Sequence, residues 1–241
     1  MRNQSQYLKN IKSLINDITQ DLKLDIETMA RAIGDVMQDD GIIQLFGWDG
    51  DQTLSMELGF RAGGLIQYHR LDVKDLALRK IIREEEFLAV DFKDRTDLPQ
   101  RFFSMYNIDE KDAFLLTQIS NLSNFNDALV KEIKKRNHKL FLITNSHYPN
   151  AQKSLAYQEA DFIIDLKTPY PDHTLELENG LKVGTTTNLL GNVVAQMLTA
   201  EIYTYLKSID QKPGILISMN VTGADEHNRA LGLKYDGRYN S

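Results

Sequence analysis

Cysteine is absent from the 241 residues, so the chain can form no disulfide and offers no thiolate to a metal. No histidine pair has the H-x-x-x-H or H-E-x-x-H spacing, and the five histidines are scattered. We therefore expect no structural or catalytic metal. The loop after the first apolar run, Gly47-Trp48-Asp49-Gly50-Asp51, does not supply G-x-G-x-x-G. That discounts a nicotinamide cofactor, and no other cofactor is expected. There is no block of basic residues, and the formal net charge is −6. Non-specific nucleic-acid binding is thereby disfavoured. No apolar run approaches the roughly 20 residues needed to span a membrane. The opening segment MRNQSQYLKNIKSL lacks the apolar centre of a secretory signal. A cytoplasmic protein that binds no membrane is expected. Neither a repeat nor a low-complexity tract is visible.

What the chain does have is apolar patterning, with 42% hydrophobic residues. The most informative stretch is Asp112 to Asn137 with the run that follows it. Ala113 to Ile119 is a buried-strand run, ended by Ser120, Asn121, Leu122, Ser123 and Asn124. Phe125, Leu129 and Ile133 then recur at helical spacing, and Leu140 to Thr144 is a second strand run. Strand, polar loop, helix and strand make a βαβ unit. In such units a ligand sits where strand gives way to helix, because free N–H groups and the helix dipole point there. Ser120, Asn121, Ser123 and Asn124 are small donors suited to phosphate or sugar hydroxyls, and equally ordinary turn and cap residues.

The remaining elements fit the same architecture. Gln6 to Gln38 reads as one long amphipathic helix, stopped at Asp39-Asp40-Gly41. Ile42 to Phe46 reads as the first strand and Thr53 to Ala62 as a helix. Trp48, Asp49 and Gly50 form the intervening loop, where Trp48 either stacks on a sugar or packs inward. Glu57 and Arg61 are a helix-spaced pair. Leu65 to Tyr68 suggests a short strand, and Leu71 to Asn107 short helices with an extended piece at Leu88-Ala89-Val90. Strands are further expected at Asp161 to Asp165 and Pro213 to Ser218, with a hairpin turning at Asn179-Gly180. Gly184-Thr185-Thr186-Thr187-Asn188 precedes a helix over Leu189 to about Lys207 and is a second candidate anion cradle. In the tail, Asp225, Glu226, His227 and Asn228 stand at a helix start. An imidazole beside carboxylates can act as general acid or base, although a surface helix start carries the same residues.

These pieces resemble the sugar-isomerase (SIS) domain, and more closely an uncharacterised bacterial group of that superfamily described as phosphosugar-binding and phosphoheptose-isomerase-like. The carriers are Glu57 with Phe60-Arg61-Ala62-Gly63-Gly64-Leu65, Ser120-Asn121, Thr144-Asn145-Ser146-His147-Tyr148, Ala160-Asp161, Val183-Gly184-Thr185-Thr186-Thr187 and Gly223-Ala224-Asp225-Glu226-His227-Asn228. The resemblance implies a three-layer, flavodoxin-like α/β/α sandwich of about five mainly parallel strands. One SIS-type domain would fill residues 1–241: a helix over 1–40, a core over 41–220 and a tail over 221–241. It implies a sugar phosphate as ligand, aldose–ketose isomerisation as the activity, and a homodimer or larger assembly. His227, Glu226 and Glu57 are then the candidate bases. Trp48, Asp49, Gly50, Arg61, Ser120, Asn121, Ser123, Asn124, Gly184, Thr185, Thr186 and Thr187 are the candidate ligand contacts. Two departures favour the alternative of a non-catalytic sugar-phosphate-sensing or structural module. The family's Ser-x-Ser-Gly loop is here Ser120-Asn121-Leu122-Ser123-Asn124, without glycine. The relatives' Gly-x-Ser-His loop is here Gly47-Trp48-Asp49-Gly50.

Overall fold

The structure, a computed structural model, describes residues 2–120 and 122–239. It opens with α1 (Arg2–Asp21) and α2 (Lys23–Gln38), followed by β1 (Ile43–Gly47) and α3 (Gln52–Leu58). Next come β2 (Tyr68–Arg70) and three short helices, α4 (Asp75–Leu78), α5 (Glu84–Phe87) and α6 (Leu98–Ser104). The βαβ unit is β3 (Ala113–Gln118), α7 (Asn124–Lys135) and β4 (Leu140–Thr144). Then follow α8 (Leu155–Glu159), β5 (Phe162–Asp165) and a hairpin of β6 (Leu175–Glu176) and β7 (Lys182–Val183). The long α9 (Thr187–Ser208) and α10 (Ala224–Leu233) complete the described chain.

The five main strands form one parallel sheet in the order β2-β1-β3-β4-β5. Strand residues alternate between two cores, and both faces are covered, as a parallel sheet requires. Ile43, Leu45, Leu115, Phe141 and Ile143 join Ile26, Met29, Ile33, Leu190, Val194 and Leu198, from α2 and α9. Phe46, Phe114, Leu116, Leu140 and Leu142 join Phe102, Phe125, Leu129 and Ile133, from α6 and α7. Each fully buried side chain of this size contributes about 1.5–3 kcal/mol before chain entropy is counted. The result is the three-layer α/β/α arrangement with the flavodoxin-like strand order.

Two helices replace the single one expected over Gln6 to Gln38. The chain bends at Leu22 (φ −99°, ψ 1°) while the bonds from Leu22 N to Ile18 O (3.0 Å) and from Ile26 N to Leu22 O (2.9 Å) persist. The bend lets Ile18, Leu22 and Ile26 all turn inward. Leu88 to Val90 is not a strand; it follows α5, and Val90 is 97% exposed. The strand near residue 65 lies slightly later, at Tyr68–Arg70, where it pairs with β1. Pro213 to Ser218 does not join the sheet. It lies against the 63–66 loop through one antiparallel bridge, Leu65 to Ile215. The backbone bonds there are Ile66 N to Gly214 O (2.8 Å), Leu216 N to Gly64 O (2.9 Å) and Gly63 N to Leu216 O (2.7 Å). Pro213 has no N–H to donate, and its partner is a loop rather than a strand, so the ladder stays short.

Candidate functional site

The strand order reverses between β1 and β3, so the loops leaving their carboxyl ends diverge and open a crevice. That is the usual ligand position in an open α/β sheet. The β1 loop is wound tightly. A Cβ on Gly47 would lie 2.4 Å from the Asp51 carbonyl oxygen, so only glycine admits this turn. Trp48 is 7% exposed, its ring centroid 5.1 Å from that of Phe125 and 5.6 Å from that of Phe92. It packs inward, and its position is the packing alternative rather than the sugar-stacking one. A short 3-10 turn over Asp49–Asp51 follows, with Asp49 and Gly50 exposed and Asp51 buried.

Asp51 crosses the switch point. Its Oδ2 accepts from Ile119 N (3.0 Å) and Ser120 N (3.3 Å), and its Oδ1 accepts from Ser120 Oγ (3.3 Å). The β3 loop therefore already holds an anion, supplied by the chain itself. Beyond it Ser123 caps α7, accepting from Asn126 N at 3.1 Å. Asn124 is exposed and donates to Asp94 Oδ1 at 3.4 Å. Asn121 lies outside the described residues.

The start of α9 is arranged the same way. Thr186 is fully buried, and its N and Oγ1 donate to Asp172 Oδ1 at 2.8 and 2.6 Å. Thr187 N lies 3.1 Å from both Asp172 oxygens. Thr187 Oγ1 meets Thr168 Oγ1 at 3.0 Å, and Thr168 Oγ1 accepts from Asn145 Nδ2 at 2.6 Å. The loops after β4 and β5 are thereby fastened to α9. Tyr148, from the β4 loop, has its phenol held above the ordinary value. Burial is the first cause and the Asp172 and Asp51 carboxylates add to it, while a bond with Thr187 pulls the other way. Tyr148 thus keeps its proton at neutral pH. Gly50 approaches the same place: a Cβ there would lie 3.9 Å from Asn188 Nδ2.

Gly50, Ser120, Thr186 and Thr187 are thus gathered around one crevice. Asn188 of the Gly184 to Asn188 cradle stands with them, and Asp51, Tyr148 and Asp172 complete the group, three residues that the sequence does not mark as site residues. The other candidates stand apart. Glu57 accepts from Gln196 Nε2 at 2.7 Å and pairs with Arg61. Gly184 and Thr185 meet α1 and the hairpin, where Thr185 O accepts from Tyr7 OH (2.9 Å) and Gly184 O from Thr174 N (3.1 Å). His227 Nε2 is 2.8 Å from Ile215 O, and Asn228 holds Ile217 O at 2.8 Å. Asp225 and Glu226 are exposed on the first turn of α10. The described bonds of α10 join it to the 215–219 segment and not to the crevice. Among the described residues no group of three His, Asp or Glu side chains is placed to hold a metal ion.

The sequence matches the family described as the SIS domain over residues 6–145. A UPF0309 protein of Geobacillus kaustophilus is 26% identical over 242 residues, covering 97% of this chain and 94% of the relative. A phosphoheptose isomerase of Neisseria gonorrhoeae superposes with a TM-score of 0.54 at 13% identity, covering 84% of this chain and 96% of that one. A phosphoheptose isomerase of Francisella tularensis superposes with a TM-score of 0.51 at 13% identity, covering 83% and 96%. At such identities the two superpositions establish a shared fold.

Proposed function

Since this chain belongs to the SIS-domain family, we propose that it binds a sugar phosphate in the crevice at the switch point between β1 and β3. The observation that carries this reading is the meeting there of the β1, β3 and β4 loops with the start of α9. In the proposed complex the phosphate takes the Ile119 and Ser120 amides and the α7 start. The hydroxyls of the sugar face Tyr148, Asn188 and Gly50. Residues 1–241 act as one SIS-type unit, with the α1–α2 pair and the α10 tail as additions to the core. Thermal shift against sugar phosphates and their unphosphorylated forms tests it, since a ligand of the native state raises the melting temperature by mass action. Phosphorylated forms should shift the transition and the free sugars should not. Equal shifts would remove phosphate from the recognition.

A second reading, binding without turnover, is favoured by where the candidate bases lie. Aldose–ketose isomerisation requires a base that removes the proton beside the carbonyl and returns one to the neighbouring carbon of the enediol. His227 is engaged with Ile215 O, and Glu57 with Arg61 and Gln196. Solvent deuterium incorporation into a bound sugar phosphate, followed by NMR, separates the two readings. Incorporation that His227→Gln slows by roughly 10²–10⁴-fold assigns the base to His227. Incorporation that survives in the variant moves it to Glu57 or Glu226, and none in the wild type leaves a binding module.

A further inference from the structure

We propose that Asp51 is a built-in competitor for the ligand's phosphate, so that phosphate binds this loop only by displacing the Asp51 carboxylate. The inference rests on the sugar-phosphate reading and deepens it by naming what the ligand must overcome. Asp51 is 2% exposed and accepts from the two amides and the hydroxyl that a phosphate at the β3 loop would use. An N–H that donates to one oxyanion is not available to another, and two anions on one pair of amides repel strongly. The position of Asp51 is imposed rather than incidental. The residue stands at the N-cap of α3, where an aspartate ordinarily bonds the amides of its own helix. Its side chain makes no such cap. The tight turn on Gly47, closed by Asp51 N donating to Trp48 O at 2.8 Å, carries the carboxylate across to β3 instead. Asp172 repeats the device at the start of α9, where it holds the Thr186 and Thr187 amides. The β3 loop and the start of α9 are thus both filled from within. Small free anions are thereby bound weakly, and a sugar phosphate gains affinity through what its sugar adds.

The experiment compares wild type with Asp51→Ser and the near-isosteric Asp51→Asn. Inorganic phosphate is the first probe, and glucose 6-phosphate, fructose 6-phosphate and ribose 5-phosphate are the second. Affinity is read by calorimetry on protein shown to be folded by circular dichroism. Asp51→Ser should bind inorganic phosphate roughly ten- to a hundredfold more tightly than wild type, as expected from removing an anion that holds charge-assisted bonds. Asp51→Asn, which keeps the shape but not the charge, should gain part of that, and it carries the test if the serine variant does not fold. A variant that binds phosphate no more tightly than wild type overturns the inference. If the wild type binds sugar phosphates and the substitution leaves or lowers that affinity, the role of Asp51 falls while the function stands. If neither protein binds phosphate or any sugar phosphate, both fall.

Discussion

His69 illustrates how a half-buried polar residue is fixed at the edge of the sheet. It stands on β2 opposite Gln44 of β1, and its Nδ1 lies 2.7 Å from Gln44 Oε1. Gln44 donates its amide to Asp112 Oδ2 at 2.9 Å, so Oε1 is an acceptor and Nδ1 carries the proton. Burial pushes the imidazole down to about 4, outweighing the opposing pull of Asp112; Arg79 and Arg238 press the same way as burial, and Asp75 against it. The unfolded chain takes up a proton near pH 6.5 that the folded chain refuses until about 4. Stability contributed by neutral His69 is therefore complete above pH 6.5 and is lost as the pH falls toward 4. The size is about 3 kcal/mol over that window. Urea titrations at pH 7 and pH 4.5 should show a larger drop in midpoint for wild type than for His69→Gln, and equal drops would refute the assignment. No pattern in the sequence marks His69 in this way. Its environment is assembled from Gln44, Asp112 and Arg238, which only the fold brings together.

At the scale of elements, the start of α9 gives a sharp expectation. Asp172 accepts from Thr186 N, Thr186 Oγ1 and Thr187 N, and so caps a long helix from a distant loop. Asp172→Ala should cost about 2 kcal/mol, in the range of a lost N-cap carrying charge-assisted bonds. Urea denaturation with an unchanged m-value would report it. A loss below about 0.5 kcal/mol would mean that water replaces the cap. This element was half legible. The glycine and three threonines marked a helix start, but nothing near them pointed to Asp172, because a long-range cap has no fixed spacing. The βαβ unit was legible almost to the residue, since Ala113–Gln118 and Leu140–Thr144 are buried on both faces and read as unbroken apolar runs. The run at Pro213 to Ser218 has the same look, yet it meets a loop at the sheet margin. Local apolarity reports burial, and strand pairing depends on what lies alongside.

For the whole molecule the distribution of apolar surface decides the expectation. The α1–α2 pair turns Ile11, Ile18 and Leu22 inward, and Asn10 Nδ2 ties it to Thr174 O at 2.9 Å. Part of the apolar stripe of Gln6 to Gln38 is therefore used within the chain. Leu8 and Leu24 still face outward, 53% and 71% exposed. On the tail side Phe60, Met219 and Leu233 are 72%, 65% and 68% exposed. Apolar side chains recurring on two outer faces are the features that closed symmetric oligomers cover. The position of α10 adds a geometric reason, since its bonds hold it to the 215–219 segment and not to its own crevice. If the tail serves the site at the β1–β3 switch point, that site must be a second copy's. Static light scattering at micromolar concentration should therefore give a mass of at least twice 27.6 kDa. Leu24→Glu should lower that mass while leaving the urea midpoint nearly unchanged, because an exposed substitution costs a folded monomer within about 0.5 kcal/mol. A wild-type mass of 27.6 kDa would end the assembly argument. A larger mass that Leu24→Glu does not alter would place the contact on the Phe60 and Leu233 face instead.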